Sequence, residues 1–125
     1  MKNLFFVALG GGCGAVARYL LAGIVQRWTT VPFPMGTLVV NVLGCFVIGA
    51  VMGWGGQEGP SPDTRLLIVV GFLGAFTTFS ALGYETVFLL DNGRFAWAVA
   101  NAAGNYGLGI GAVILGRLAA RSVGM

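Results

Sequence analysis

Four long apolar runs, separated by short polar interruptions, dominate the chain. They cover residues of about 4–26, 35–54, 65–90 and 94–118. Each is close to or above the roughly 20 residues that a helix needs to cross the hydrocarbon of a bilayer. The first interruption, residues 28–34, carries Pro32 and Pro34 as helix breakers and Trp28 and Phe33 as aromatics suited to a membrane interface. The second, residues 55–63 (GGQEGPSPD), is the most polar stretch, and Asp63 or Thr64 is placed to cap the helix that follows. The third is the turn Asp91-Asn92-Gly93. The pattern predicts an all-α membrane protein with four transmembrane helices in a single domain over residues 1–125. The first run is too long for a signal peptide and reads as a retained first helix.

Small residues mark where these helices approach one another. In the first span Ala8 and Gly12, and Gly10 and Gly14, stand four residues apart. Each glycine costs a water-exposed helix about 1 kcal/mol relative to alanine, but in a bilayer such pairs let backbones touch. The third span carries GAFTTFS over residues 74–80, an unusual concentration of hydroxyls at mid-membrane depth. A break in that helix is expected near residues 74–78. It is tolerable only where protein or a water-filled cavity surrounds it.

Composition agrees with the pattern. Apolar residues make up 57% and charged residues 9%, too little polar surface to cover a water-soluble core. Mean hydropathy is strongly positive. Lys2, Arg18, Arg27, Arg65, Arg94, Arg117 and Arg121 are scattered, mostly at span ends, which suits headgroup anchoring and excludes a nucleic-acid-binding patch. Lys2, Arg65, Arg117 and Arg121 fall on the side of the termini and Arg27 and Arg94 on the other, a bias weak enough to permit insertion in both orientations. Cys13 and Cys45 read as small hydrophobes, and without histidine or a CxxC pair no metal-ligand spacing exists.

The polar residues inside the spans are the candidate chemistry. Thr37, Asn41 and Cys45 follow at successive steps of four on one helix face. An amide at the depth of Asn41 is costly without a partner. It serves either as glue between helices or as a neutral donor beside an ion path. Asn101 and Asn105 repeat the spacing in the fourth span, with Tyr106 beside them, and the same two readings apply. Phe79 follows the expected break and by itself reads as apolar packing. Its ring edge can also attract an anion weakly. Arg18 sits inside the first span, where a vestibule or a partner must receive it, and Glu85 lies within two turns of the end of the third. No carboxylate pair, Ser-His arrangement or phosphate-cradling loop is present, so no enzyme is expected.

Three elements, one in each of the first three spans, carry a family resemblance. Residues 11–19 read GGCGAVARY, residues 36–46 read GTLVVNVLGCF and residues 71–80 read GFLGAFTTFS. In this order they resemble the small dual-topology fluoride channels, the CrcB or Fluc family, over roughly two-thirds of the chain. The resemblance implies an antiparallel homodimer in the inner (plasma) membrane, two subunits of opposite orientation enclosing two fluoride pores. It implies a structural sodium ion at the dimer centre, held by backbone carbonyls that correspond to Gly74 and Thr77. It carries over Asn41 as anion donor, Thr37 as pore hydroxyl and Phe79 as the first pore phenylalanine, with Ser80 and Tyr106 in the same set and Arg18 as a vestibule candidate. The chain departs from the family at Leu82, where a second phenylalanine is usual, and at Ala81, where threonine is usual. Asn101 and Asn105 align with a tyrosine and a serine.

The reading is passive, selective fluoride export that relieves fluoride toxicity, with the lipid membrane and a second copy as partners and no nucleic acid. Three rivals stand beside it. A proton-coupled small multidrug-type transporter needs an embedded carboxylate in the first helix, where this chain has Arg18. A purely structural assembly subunit suits the glycine-rich faces and leaves the amide stripe unexplained. A subunit of a heterodimeric fluoride channel would account for Leu82.

Overall fold

The computed structural model describes residues 1–54 and 58–123. Four helical spans cross it, each long and apolar enough for a membrane: Lys2–Trp28, Met35–Gly53, Pro62–Asp91 and Phe95–Ser122. The four expected spans are therefore present, three of them longer than the apolar runs implied. The third starts three residues earlier than expected because its cap is Ser61, whose Oγ accepts the Thr64 N–H at 3.3 Å, with Pro62 in the first helical position. Asp63 lies inside that first turn and pairs with Lys2 at 3.5 Å. Of the loop expected over residues 55–63, residues 55–57 lie outside the described residues. The last turn comes as expected, with Gly93 at φ +72°, a conformation that costs glycine nothing.

We label Lys2–Trp28 α1, Met35–Gly53 α2, residues 62–76 α3, Phe79–Asp91 α4 and Phe95–Ser122 α5. Helix α3 is α-helical over Pro62–Thr64 and Gly74–Phe76 and takes the wider π form over Arg65–Leu73, where Gly74 N–H reaches back to Val69 O. Near the middle of the span Thr77 (φ −90°, ψ 160°) and Thr78 (φ −147°, ψ 117°) are extended. Their sequence explains the stop and restart. Thr77 is β-branched and bonds its hydroxyl back to Leu73 O at 3.1 Å, while Thr78 caps α4 by accepting the Ala81 N–H on its Oγ at 3.1 Å.

Glycine sets how the helices pair. Gly10 and Gly14 of α1 lie against the backbone of α3, and a Cβ on either would collide with the carbonyl oxygens of Leu67 and Phe72. Gly49 of α2 lies in the same way on Val113 of α5, and Gly116 of α5 on Phe46 of α2. Residue numbers rise together along both seams, so α1 runs parallel to α3 and α2 parallel to α5. On α5 the buried positions Ala98, Asn101, Asn105, Gly109, Ala112, Gly116 and Ala120 recur every three or four residues, one stripe of small and amide side chains. The alternative α1 face through Ala8 and Gly12 is exposed, and nothing lies within 4 Å of a Cβ at Gly12.

Two glycines of one helix are thus predicted to differ. Gly14→Ala forces α1 from α3 and costs about 1–3 kcal/mol, the usual penalty of overpacking. Gly12→Ala leaves stability unchanged or slightly raised. Thermal unfolding of the two variants in detergent checks this, and equal midpoints would contradict the seam.

Candidate ion pathway

Interrupting a helix in an apolar setting strands backbone N–H and C=O groups, and each unmet group costs several kcal/mol in lipid. Asn41 of α2 meets two of them. Its Oδ1 accepts the Thr78 N–H at 2.8 Å and its Nδ2 donates to Thr78 O at 3.1 Å. These two bonds also settle which end of the amide is which, since the backbone offers one donor and one acceptor. The second N–H of Asn41 goes to Asn105 Oδ1 of α5 at 2.8 Å. Arg18 reaches from α1 to donate its Nε–H to Ala75 O at 3.0 Å, placing a cation at the last turn of α3.

Three carbonyls at the interruption, those of Gly74, Phe76 and Thr77, receive none of this help. In a continuous helix Gly74 O would accept from Thr78 and Thr77 O from Ala81. Here the Thr78 N–H goes to Asn41 and the Ala81 N–H to Thr78 Oγ. Oxygens freed from helical bonding are hard, neutral donors of the kind that replace water around an alkali cation, so Gly74 and Thr77 fit the group that the resemblance implies. Both residues line one shallow groove of about 190 Å³ between α2 and α3.

A second groove, of about 230 Å³, opens on the outside of the subunit between α2, α4 and α5. Of the residues singled out in the sequence it gathers Asn41, Thr77, Phe79, Leu82, Asn105 and Tyr106, together with Cys45 and Thr78. Phe79 is 79% exposed and Tyr106 71%, so neither ring packs in the core of this chain. Ser80 is exposed beside this groove, 3.4 Å from Thr78 Oγ. Thr37 and Asn101 are buried between helices and do not line it. Thr37 donates to Glu85 Oε2 at 2.9 Å, and Asn101 donates to Thr86 Oγ at 3.1 Å.

Family comparison now decides between the readings. Residues 5–117 match the model of the CrcB-like proteins, described as camphor resistance (CrcB). The chain belongs to this family. Among its relatives, a fluoride-specific ion channel FluC of Solibacter usitatus is 47% identical over 122 residues, covering 97% of this chain and 99% of that protein. Channels of the same name from Shewanella pealeana (44% over 117 residues, 94% of each chain) and Maridesulfovibrio salexigens (41% over 123 residues, 94% of this chain and 98% of the relative) are similar along nearly their whole length. The family resemblance first read from three short elements therefore extends over nearly all of this CrcB-like chain.

The sequence reading gives Thr78 and Thr86 no role of their own and Glu85 no partner. Thr78 matters through its backbone, which Asn41 clasps. Glu85 is tied to Thr37, and its Oε1 is buried with no partner among the described residues. Thr86 bonds both Asn101 and Leu82 O. A signal was present for the last two, since an acid and a threonine stand side by side in an otherwise apolar run.

The clasp predicts a large structural effect. Asn41→Leu strands the Thr78 N–H and C=O together, and each unmet group costs about 1–3 kcal/mol. The variant is expected to unfold well below the wild type in detergent, whereas Phe79→Ala, at an exposed ring, is not. An undiminished midpoint for Asn41→Leu would refute the clasp.

Proposed function

We propose that this chain is the subunit of a fluoride-selective channel that lets the ion leave the cell passively and so relieves fluoride toxicity. The observation that carries this is full-length similarity to proteins named fluoride-specific ion channels, combined with the groove that gathers Asn41, Phe79, Asn105 and Tyr106 on an open face. The chain forms one domain in the plasma membrane, and two copies of opposite orientation close the open faces against each other. The weak charge bias of the loops supports that arrangement, as does the exposure of Phe79 and Ser80, which a lone subunit would present to lipid.

Within the dimer the extended residues Thr77 and Thr78 lie near mid-membrane, where the facing copy shields them. The carbonyls of Gly74 and Thr77 from both copies hold a sodium ion. When bound, that ion supplies positive potential next to the pathway and ties the two subunits together. The anion path runs along Asn41, Phe79, Asn105 and Tyr106. It offers neutral N–H donors and positive ring edges, which replace water around a small anion without trapping it as a full charge would. Ser80 extends the polar lining, Thr37 stands behind it with its hydroxyl on Glu85, and Arg18 draws anions toward the entrance. Fluoride is favoured because a larger anion cannot meet the same donors in the same width. Leu82 leaves each pathway with one ring where relatives of this family usually have two.

Efflux from liposomes that contain only this purified chain tests the reading. Fluoride is expected to leave quickly and chloride not at all, and Phe79→Ala, which leaves the fold intact, is expected to abolish the fluoride flux. Silent wild-type liposomes that Leu82→Phe also fails to activate would refute a homomeric channel.

A further inference from the structure

Asn41, Asn105, Asn101 and Thr86 form one unbroken series, and every donor in it points the same way. Asn41 Nδ2 donates to Asn105 Oδ1 at 2.8 Å. Asn105 Nδ2 donates to Asn101 O at 2.8 Å and to Asn101 Oδ1 at 3.0 Å. Asn101 Nδ2 donates to Thr86 Oγ at 3.1 Å, and the Thr86 hydroxyl donates to Leu82 O at 2.8 Å. The backbone of Thr78 imposes this direction, because it fixes the ends of the Asn41 amide and each amide then fixes the next.

In this direction the series leaves no donor for an anion. One N–H of Asn41 is on Thr78 O and the other on Asn105, while both N–H groups of Asn105 are on Asn101. Yet Asn41 and Asn105 both line the outer groove.

We propose that the series is a reversible relay, in which Asn101 and Thr86 are positioning residues that let the Asn105 amide turn and present its N–H to the groove. This rests on the channel reading above. Reversal exchanges oxygen and nitrogen in Asn105 and Asn101 by a half-turn of each amide. The Thr86 hydroxyl, which can donate or accept, swings its proton from Leu82 O to Asn101 Oδ1. Asn101 Nδ2 then donates to Asn105 Oδ1, while that oxygen also comes to lie beside Asn101 O, the acceptor that Asn105 Nδ2 meets at 2.8 Å in the direction seen. Leu82 O and Asn101 O lie inside helices α4 and α5, where backbone N–H groups serve them. Reversal has two costs, the meeting of Asn105 Oδ1 with Asn101 O and, at the mouth, the meeting of Asn105 Nδ2 with Asn41 Nδ2. Two N–H groups repel unless an anion lies between them, so the reversed direction is stable only with the ion present. A pathway of this kind assembles its second donor as the ion arrives and withdraws it afterwards.

Asn101→Leu isolates the idea. Asn101 is fully buried, does not touch the groove, and is close in volume to leucine. The substitution keeps the bond from Asn105 to the main-chain oxygen of residue 101 and removes the only group able to donate to a turned Asn105 Oδ1. The relay is then locked in the direction seen. Fluoride efflux is expected to fall at least about tenfold, equivalent to 1.4 kcal/mol in a barrier, with the assembly unchanged on gel filtration. An unchanged rate overturns the relay. Because misfolding could also lower the flux, wild-type protein labelled with nitrogen-15 is titrated with fluoride and with chloride. The side-chain amide resonances of Asn101 and Asn105 should both move with fluoride and with fluoride alone. Movement of Asn41 alone, or of none of the three, overturns the relay whatever the flux of the variant. Absence of efflux from both the wild type and Leu82→Phe would remove the homomeric channel reading, whereas normal wild-type efflux with a fully active Asn101→Leu removes the relay and leaves the channel standing.

Discussion

A polypeptide in hydrocarbon has no water to complete its hydrogen bonds, and the interruption at Thr77 and Thr78 is where this chain confronts that constraint. Four separate devices surround the two residues. Asn41 takes the N–H and C=O of Thr78, the Thr78 hydroxyl takes the Ala81 N–H, the Thr77 hydroxyl returns to Leu73 O, and Arg18 covers Ala75 O. The carbonyls of Gly74, Phe76 and Thr77 receive no such partner.

The clasp depends in turn on glycine. Asn41 and Asn105 are 64 residues apart, and the same offset relates Gly49 to Val113 and Gly53 to Arg117 along the α2–α5 seam. One register of two parallel helices therefore sets both the backbone contacts and the amide contact. A β-carbon at Gly49 or Gly116 would push the helices apart and lengthen a 2.8 Å bond many residues away. Packing in the absence of a hydrophobic driving force is what positions the polar chemistry.

The result is a four-span chain with its polar groups distributed over two surfaces. Buried amides face inward along the α5 stripe, while the rings of Phe79 and Tyr106 and the hydroxyl of Ser80 stand on the outer face. Neutral donors and ring edges suit an anion that must be stripped of water and still released. Two amides in series along the α5 stripe, Asn101 and Asn105, give this chain a particular property. A hydroxyl can turn its proton freely, but an amide must turn as a whole and must persuade its neighbour to turn with it.

Much of this was legible in the residues. Four apolar runs of membrane length gave four spans, and the elements GTLVVNVLGCF and GFLGAFTTFS pointed to the family that residues 5–117 match. Periodicity placed Asn101 and Asn105 on one face, because a helix repeats every 3.6 residues whatever lies beside it. It could not say which glycine pair of α1 packs inside the subunit, since Gly10 and Gly14 differ from Ala8 and Gly12 only in what faces them. The π form of residues 65–73 and the early start at Ser61 depend on packing and on a local cap that composition does not rank. Above all, the role of Asn41 was undecidable as a choice between glue and donor. Spacing fixes where an amide points along its own helix, but a hydrogen bond needs a partner from another helix. Only the tertiary structure brings Thr78 and Asn105 within 3.1 Å of it.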